Sequence, residues 1–470
     1  MNRDPLAPLR DPATIRARCA AITRAVQEGR SGWFTLDRTR LGEAARRVAA
    51  LTRERFPDLR IPYHSRWRHF EAGGVDRKAE LDARLAGRDA AQVARARIDL
   101  TVVSVLLDAG AGAQWRYRED AGPVDALALP VHRQQGDELL AMLGQASSGA
   151  CAAPEPAPAP APASGGATYA RSEGLGVASL RGFMAGVFSD DPDDPLRADA
   201  RALKRLDAAA LRALFQAGPA NPLVGLEGRA ALLARLGEVL EQQATAEGGQ
   251  ARPGRLYDTL LAQAGEPATP GAAPATSAAA VLSTLVRDYA PIWRSGSRVL
   301  GLPAGDVWPH HWSGAARGPA GADGSFAPTD RATAGWVPFH KLSQWLTYSL
   351  LEPLAWAGLE VTGLEALTGL PEYRNGGLLL DTGVIVPRAA ADLARTWKPA
   401  DEFVVEWRAL TVSLLDELAV LVRAELGAGA AQLPLACILE GGTWAAGRQI
   451  AQELRGGAPP VVIDSDGTVF

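Results

Sequence analysis

The sequence is poor in cysteine and in long apolar runs, and each shortage excludes a class of protein. Its three cysteines, Cys19, Cys151 and Cys437, lie far apart without a Cys-x-x-Cys spacing, which argues against a disulfide framework and a zinc knuckle. The longest apolar run is broken by Asp108, well before the roughly 20 residues that a membrane-spanning helix needs. The N-terminus has no apolar core of a signal peptide. We therefore expect a cytoplasmic protein that contacts no membrane.

The chain also lacks an excess of positive charge. A formal net charge of −4 and a pI near 6.0 predict no nucleic-acid partner, because neither supplies a basic field. Most basic residues are arginines, and lysine occurs only at Lys78, Lys204, Lys341 and Lys398. A lysine in this background either marks a site that needs a compact ammonium group or is an ordinary surface charge.

The apolar spacing predicts a mainly α, helical globular protein with a small β element near residues 370–388 and a short C-terminal strand. A Pro/Ala-rich tract at residues 150–167 is expected to be a flexible insertion, because alternating proline supports neither helix nor sheet. It separates an N-terminal helical part, 1–149, from a C-terminal helical part with a small sheet, 168–470. We expect the two parts to pack as one domain. The other reading of the tract is a linker between two domains.

The common cofactor motifs are absent from the sequence. Gly110 and Gly112 follow an apolar run, but the third glycine of a dinucleotide fingerprint is missing. None of the lysines follows a glycine, which excludes a P-loop motif. The six histidines show no metal-ligand spacing, and the adjacent His310 and His311 are expected to pack in a loop. We predict no cofactor and no metal.

The stretch WVPFHKLSQWLTYSLLEPL, residues 336–354, predicts a helix with one face in the core and another lining a pocket. Its apolar face carries Phe339, Leu342, Leu346 and Leu350. The candidate pocket residues are His340, Lys341, Gln344, Trp345, Thr347 and Tyr348. Surface helices usually carry glutamate, lysine and arginine outside rather than this mixture. An amphipathic surface helix is the alternative.

The stretch GLPEYRNGGLLLDTG, residues 369–383, contains Asn375 followed by two glycines, which predicts a turn that leads into a strand. A turn does not require Glu372, Tyr373, Arg374 or Asp381. These side chains beside a glycine pair are typical of a binding loop. A salt-bridged surface turn is the alternative.

Near the C-terminus, Glu440, Trp444 and Arg448 have the spacing of one helical face, with Thr443 as a candidate N-cap after Gly441 and Gly442. A glycine-rich helix start can bind phosphate through free N–H groups. Close helix packing through the small residues explains the same pattern. The stretch RSEG, residues 171–174, is expected to open a helix and to place Glu173 in its first turn.

Several longer motifs resemble a fungal and bacterial family that includes the fourth protein of the uracil-catabolism pathway, long classed as a domain of unknown function. The motifs are IPYHSRWRHFEAGGVDR, NPLVGLEGR, VPFHKLSQWLTYSLLEPL, LPEYRNGGLLLD and SDGTVF. The resemblance implies a role in pyrimidine breakdown, in which uracil becomes a nucleotide, the ring is opened, and a ribosylurea species leads to urea. A fainter similarity of helical pattern suggests the queuosine-salvage nucleoside hydrolases, whose fold is related to helical DNA glycosylases. The resemblance supplies no catalytic residues.

If the chain releases urea from ribosylurea, its site needs a carboxylate and a donor for the leaving nitrogen. From residue type and local pattern we predict Glu372, Asp381 and His340 as catalytic residues. The predicted substrate-binding residues are Lys341, Gln344, Trp345, Tyr348, Tyr373, Arg374 and Asn375, with Thr443 and Arg448 binding a phosphate. The expected partner is a small nucleoside or nucleotide breakdown product. The alternatives are a non-catalytic partner of the ring-opening enzyme, and an amidohydrolase, whose ligand spacing is absent.

Overall fold

The computed structural model describes residues 4–108, 110–112, 114–119, 166–265, 271–293, 296–313 and 332–464. The Pro/Ala-rich tract lies outside the described residues apart from its last two positions. Over these residues the protein is mainly helical, with only short strand pairs, as the sequence predicts. Within the described residues, every helix is too short or too polar to cross a membrane.

The helices are numbered in chain order. The first six are α1 (Ala7–Arg10), α2 (Pro12–Gln27), α3 (Leu41–Arg55), α4 (Arg66–Phe70), α5 (Arg77–Arg84) and α6 (Ala90–Leu106). Those after residue 166 are α7 (Arg171–Met184), α8 (Ala200–Arg205), α9 (Ala208–Leu214), α10 (Leu226–Glu247), α11 (Arg255–Ala264), α12 (Ala278–Tyr289), α13 (Lys341–Trp356), α14 (Tyr373–Asp381), α15 (Glu402–Leu426), α16 (Leu435–Ile438) and α17 (Trp444–Arg455).

The strands form two-stranded ladders. They are β1 (Phe34–Leu36), β2 (Arg116–Glu119), β3 (Ala167–Ala170), β4 (Ala275–Ser277), β5 (Ser297–Val299), β6 (Leu302–Gly305), β7 (Val307–Pro309), β8 (Trp336–Pro338), β9 (Glu360–Thr362), β10 (Ile385–Pro387), β11 (Thr396–Trp397) and β12 (Val462–Ile463). The pairs β1–β10, β2–β3, β5–β6 and β7–β8 are antiparallel, whereas β4–β9 and β11–β12 are parallel. These ladders tie distant segments together and build no continuous sheet among the described residues.

Helix α15 forms the centre of the hydrophobic core, with α2, α3 and α14 packed around it. Most of its side chains are buried on all sides, which is typical of a helix in the interior of a protein. Helix α6 is buried in the same way and packs against α13. One hydrophobic cluster extends from Ile15 to Val461, so segments from both ends of the chain share this core.

The predicted turn at Asn375, Gly376 and Gly377 is wrong, because these residues lie in α14. The helix begins there because the Glu372 carboxylate accepts the free N–H groups of its first turn. A Cβ at Gly376 would lie 2.8 Å from the ring of Trp407 on α15, so this glycine permits close helix packing. The strand of this region, β10, comes after the helix.

The predicted helix start at Thr443 is also wrong. Helix α16, a π-helical turn at Leu439–Thr443 and α17 follow one another without a break. A Cβ at Gly442 would lie 2.5 Å from Val48 on α3, and the structure therefore shows the close packing that was the alternative explanation. Between α3 and α5 the chain forms the short helix α4.

Candidate active site

A cavity of about 470 Å³ lies where α4, α6, α7, α13 and α14 meet the segments around α17. This volume is in the range of small-molecule sites. The charged and aromatic residues that line it are His64, His69, Asp108, Arg171, Lys341, Trp345, Glu372, Tyr373, Arg374 and Trp444. Glycines at 456 and 457 complete one wall.

Lys341 reaches the cavity because Asp306 fixes the start of α13. The Asp306 carboxylate accepts the backbone N–H of Lys341 at 3.0 Å and two N–H groups of Arg408, each at 2.7 Å. His340 adopts a left-handed backbone (φ 46°), and its Nε2 lies 2.8 Å from the carbonyl oxygen of Leu9. The ring of His340 therefore anchors α1, while the next side chain lines the cavity.

Glu372 combines a capping role with a place in the cavity wall. Its two carboxylate oxygens accept the backbone N–H groups of Arg374 at 2.7 Å and Asn375 at 2.6 Å. Burial raises the pKa of Glu372 above its ordinary value, although these hydrogen bonds and Lys341 oppose the shift. Burial lowers the pKa of Lys341, against the attraction of Glu372 and Asp108. The ammonium group of Lys341 therefore interacts with both carboxylates across this cavity.

Asp108 supplies the second carboxylate, directly after α6. Its Oδ2 lies 3.3 Å from Arg66, which is fully buried behind the cavity. Its Oδ1 has no hydrogen-bond partner among the described residues, and neither has the indole Nε1 of Trp345. Buried polar atoms normally have partners, and the two residues that carry these atoms both line the cavity.

His69 is a neutral donor in this site. Burial and the neighbouring Arg66 lower the pKa of His69 to about 4. A guanidinium can only donate, and Arg66 lies 3.2 Å from Nδ1 of the ring. Nδ1 must therefore accept, and the ring proton is on Nε2 at neutral pH.

A second groove of about 660 Å³ adjoins the cavity and shares His64, His69 and Trp444 with it. His64 Nδ1 lies 2.9 Å from the carboxylate of Glu440. Its ring stands between the indoles of Trp345 and Trp444, with centroids 6.5 and 6.4 Å away. A histidine oriented by a carboxylate is a common arrangement in proton transfer.

The structure brings five predicted residues together in the cavity: Lys341, Trp345, Glu372, Tyr373 and Arg374. Arg448 lines the adjoining groove, where it binds Glu173 at 2.9 Å. Glu173 lies in the first turn of α7, as its sequence position indicates.

The remaining predicted residues lie away from the cavity lining. Gln344 and Tyr348 are buried, and both donate hydrogen bonds to Thr368. The Gln344 amide donates to the Thr368 hydroxyl, and the Tyr348 hydroxyl donates to the Thr368 carbonyl oxygen at 2.9 Å. Asn375 donates to the carbonyl of Leu370 at 3.1 Å and holds the start of α14.

Asp381, His340 and Thr443 are also absent from the lining. Asp381 lies at the far end of α14, where it accepts two hydrogen bonds from Arg455 at 2.9 and 2.6 Å. Thr443 is buried in the π-helical turn and offers no helix N-terminus.

Asp108, His64 and Arg171 line the cavity and were not predicted from the sequence. The available signal for Asp108 was a charged residue directly after an apolar run, followed by glycines. His64 stands in a motif that the family resemblance already singled out. No local spacing connects these residues, because the cavity is assembled from distant segments.

Two other features lie outside the cavity. His310, His311 and Glu402 have ligand atoms within 4.8 Å of one another. The backbone N–H of Trp312, however, donates to Nδ1 of His310 at 3.3 Å, which leaves the ring proton on Nε2, the atom nearest the carboxylates. A larger depression, about 810 Å³, is lined by acidic and basic side chains that are largely paired, including Asp190. We place the candidate site at the cavity that brings Lys341 together with the carboxylates of Glu372 and Asp108.

The chain matches a family model described as a protein of unknown function (DUF1688) over residues 8–137 and 158–470. It is 34% identical over 482 residues to Protein urg3 of Schizosaccharomyces pombe, covering the whole of both chains. It is 35% identical over 432 residues to Uracil catabolism protein 4 of Lachancea kluyveri, covering 87% of this chain and 85% of the relative. The chain therefore belongs to the DUF1688 family.

Proposed function

We propose that this chain acts in uracil catabolism by hydrolysing the C–N glycosidic bond of a ribosylurea-type intermediate, with release of urea. The name of the Lachancea kluyveri relative supports the pathway. The description of the family names no activity, so we infer the reaction from the chemistry of the cavity.

The observation that carries this proposal is a pair of carboxylates in one cavity with Lys341 and two histidines: Glu372 is buried, and the Asp108 side chain is 9% exposed. Hydrolysis of a glycosidic bond passes through an oxocarbenium-like transition state, which carboxylates stabilise while one of them activates water. A protein that only binds a partner enzyme has no need of such a buried cluster. The cluster therefore favours an enzyme.

In the proposed step the bond between the anomeric carbon and the urea nitrogen breaks, and a water oxygen bonds to that carbon. Asp108, held near Arg66, accepts the proton of the water. Lys341, whose lowered pKa makes it a better acid, donates a proton to the leaving nitrogen. Glu372 stabilises the positive charge on the sugar. The products are urea and the free sugar.

His69 and Trp345 orient the leaving group. The neutral imidazole of His69 and the indole of Trp345 each carry an N–H, and the urea carbonyl is an acceptor. These roles replace the donor role that the sequence suggested for His340, whose ring bonds to Leu9 instead.

The test incubates the purified protein with ribosylurea and with ribosylurea 5′-phosphate and measures urea, the free sugar and ammonia. We expect urea and sugar in equal amounts without ammonia, and a loss of about 100-fold or more in the Glu372→Gln variant. Circular dichroism controls for folding, because Glu372 also caps α14. Ammonia as the product would favour an amidohydrolase and contradict the proposal, as would no turnover of either compound.

A further inference from the structure

Two arginines in the cavity wall carry positive charge without a carboxylate partner. Among the described residues, neither Arg171 nor Arg374 is within 4.0 Å of an acidic oxygen. Arg374 is only 6% exposed, and its guanidinium donates to the carbonyl of Gly457 at 3.2 Å. A buried guanidinium held by a neutral carbonyl is costly, and an anionic ligand would lower that cost.

The two guanidinium groups converge on Gly457. A Cβ on this residue would lie 3.2 Å from an Nη atom of Arg171, and its carbonyl oxygen is bound by Arg374. Gly457 has φ +89°, a conformation that side chains disfavour. The glycine therefore leaves room for the Arg171 side chain, and Arg171, Arg374 and Gly457 all line the cavity.

The backbone of Arg171 is strained as well. It has φ 53°, in the left-handed region that non-glycine residues rarely adopt. Strain of this kind is found at ligand sites, where it fixes a side chain in a useful direction. Arg171 begins α7, beside the cavity-lining Ser172.

Electrostatics support the same conclusion. Burial lowers the pKa of Arg171, and repulsion from Arg374 and Arg448 lowers it further, while the attraction of Glu173 opposes the shift. Of these three arginines, Arg448 has an acidic partner, Glu173. The other two repel each other in a partly dry site, and a dianion between them would relieve this repulsion.

We propose that Arg171 and Arg374 bind the phosphate monoester of the substrate, so that the substrate class is a phosphorylated ribosylurea rather than the free nucleoside. This inference rests on the proposed function for the identity of the sugar. Two guanidinium forks suit the tetrahedral oxygens of a phosphate, which they can bind in bidentate pairs.

The experiment measures binding without turnover. Isothermal titration of the full-length protein uses inorganic phosphate, ribose 5-phosphate and ribose as probes. We expect the two phosphates to bind and to compete, and ribose to bind at least about tenfold more weakly than ribose 5-phosphate. The variants Arg171→Met and Arg374→Met should each lower the affinity for ribose 5-phosphate about tenfold or more.

Arg448→Met is the matched control, because it removes the same charge from the adjoining groove. We expect it to change the affinity less than about threefold, since Arg448 is already paired with Glu173. A loss as large as that of Arg171→Met would show general electrostatic attraction and overturn the inference. Arg171 is partly exposed, so its variant remains informative if the Arg374 variant does not fold.

Turnover separates this inference from the proposed function. Urea release with equal kcat/KM for phosphorylated and unphosphorylated ribosylurea would overturn the phosphate site and leave the hydrolase intact. Arginine-dependent binding of ribose 5-phosphate without any urea release would leave the phosphate site intact and overturn the hydrolase.

Discussion

Replacing Asp306 by asparagine is expected to destabilise the protein strongly and to disturb Lys341. Asp306 and Arg408 form a fork at two distances of 2.7 Å, with side chains only 10% and 1% exposed. Breaking a buried ion pair by removing one partner costs about 3–5 kcal/mol, because the other charge stays in the interior. The same carboxylate accepts the indole N–H of Trp308 at 2.7 Å, so the substitution weakens several bonds.

The matched control is Asp416→Asn, because Arg16 and Asp416 form a second fork with side chains 31% and 35% exposed. An exposed pair contributes about 0–1 kcal/mol. The free energy of unfolding is measured in guanidinium chloride by circular dichroism. From these two ranges, Asp306→Asn should lower it by at least about 2 kcal/mol more than the control does. Equal losses would refute the reasoning that burial makes the Asp306 pair important.

The stability difference between wild type and Asp306→Asn should also depend on pH. Burial acts to raise the pKa of Asp306, but Arg408 and the hydrogen bonds outweigh it and hold the pKa below its ordinary value. A lowered pKa contributes stability above the unfolded value of about 3.9, and that stability is lost as the pH falls through the folded pKa. The difference between wild type and Asp306→Asn should persist from about pH 7 to about 4 and shrink below it.

Further predictions concern packing, titration and thiol reactivity. Gly447→Ala should destabilise the protein by about 2 kcal/mol or more in thermal unfolding, because the new Cβ would overlap the carbonyl oxygen of Arg374, whereas Gly429→Ala, with open space around it, should be near neutral. Burial raises the pKa of Glu372, so wild type should lose stability relative to Glu372→Gln as the pH rises from about 4 through that pKa; a melting-temperature difference that is flat between about pH 4 and 7 would contradict this. Burial raises the pKa of Cys437 to about 12, so its thiol should react with a thiol reagent only after unfolding. Mass spectrometry of the labelled peptide measures this reaction, and fast labelling of the native protein would contradict the prediction.

The helices of the core could be predicted because their signals are local. Residues 402–426 show apolar positions at helical spacing, with Asp401 before the first turn and Gly427 after the last, and α15 has these bounds. The pocket-lining character of α13 also followed from local composition, since Gln344, Trp345 and Tyr348 are unlike the glutamate, lysine and arginine of a surface helix.

Both wrong predictions of secondary structure, the turn at Gly376 and the helix start at Thr443, involved a pair of glycines. Gly376 lies against Trp407 and Gly442 against Val48, where a Cβ would collide. A tight turn and a close helix contact both need a missing side chain, and a single sequence cannot distinguish them. The partner of such a contact, for example Val48, is hundreds of residues away.

The candidate site was predictable only where its residues lie on one element. Glu372 and Arg374 stood out because a turn did not require them. Asp108 directly follows α6 and Arg171 begins α7, and both reach the cavity through the packing of these two helices. Asp381 has the right chemistry one helix length from Glu372, but α14 directs it to Arg455.

The most direct test of the proposed hydrolase compares urea release by the Asp108→Asn and Asp381→Asn variants on ribosylurea 5′-phosphate. Both changes remove one carboxylate from an arginine pair, but Asp108 alone of the two lines the cavity. We expect a loss in kcat of about 100-fold or more for Asp108→Asn and a change below about threefold for Asp381→Asn. Full activity of Asp108→Asn, or a comparable loss in folded Asp381→Asn, would contradict the assignment of Asp108 as the base.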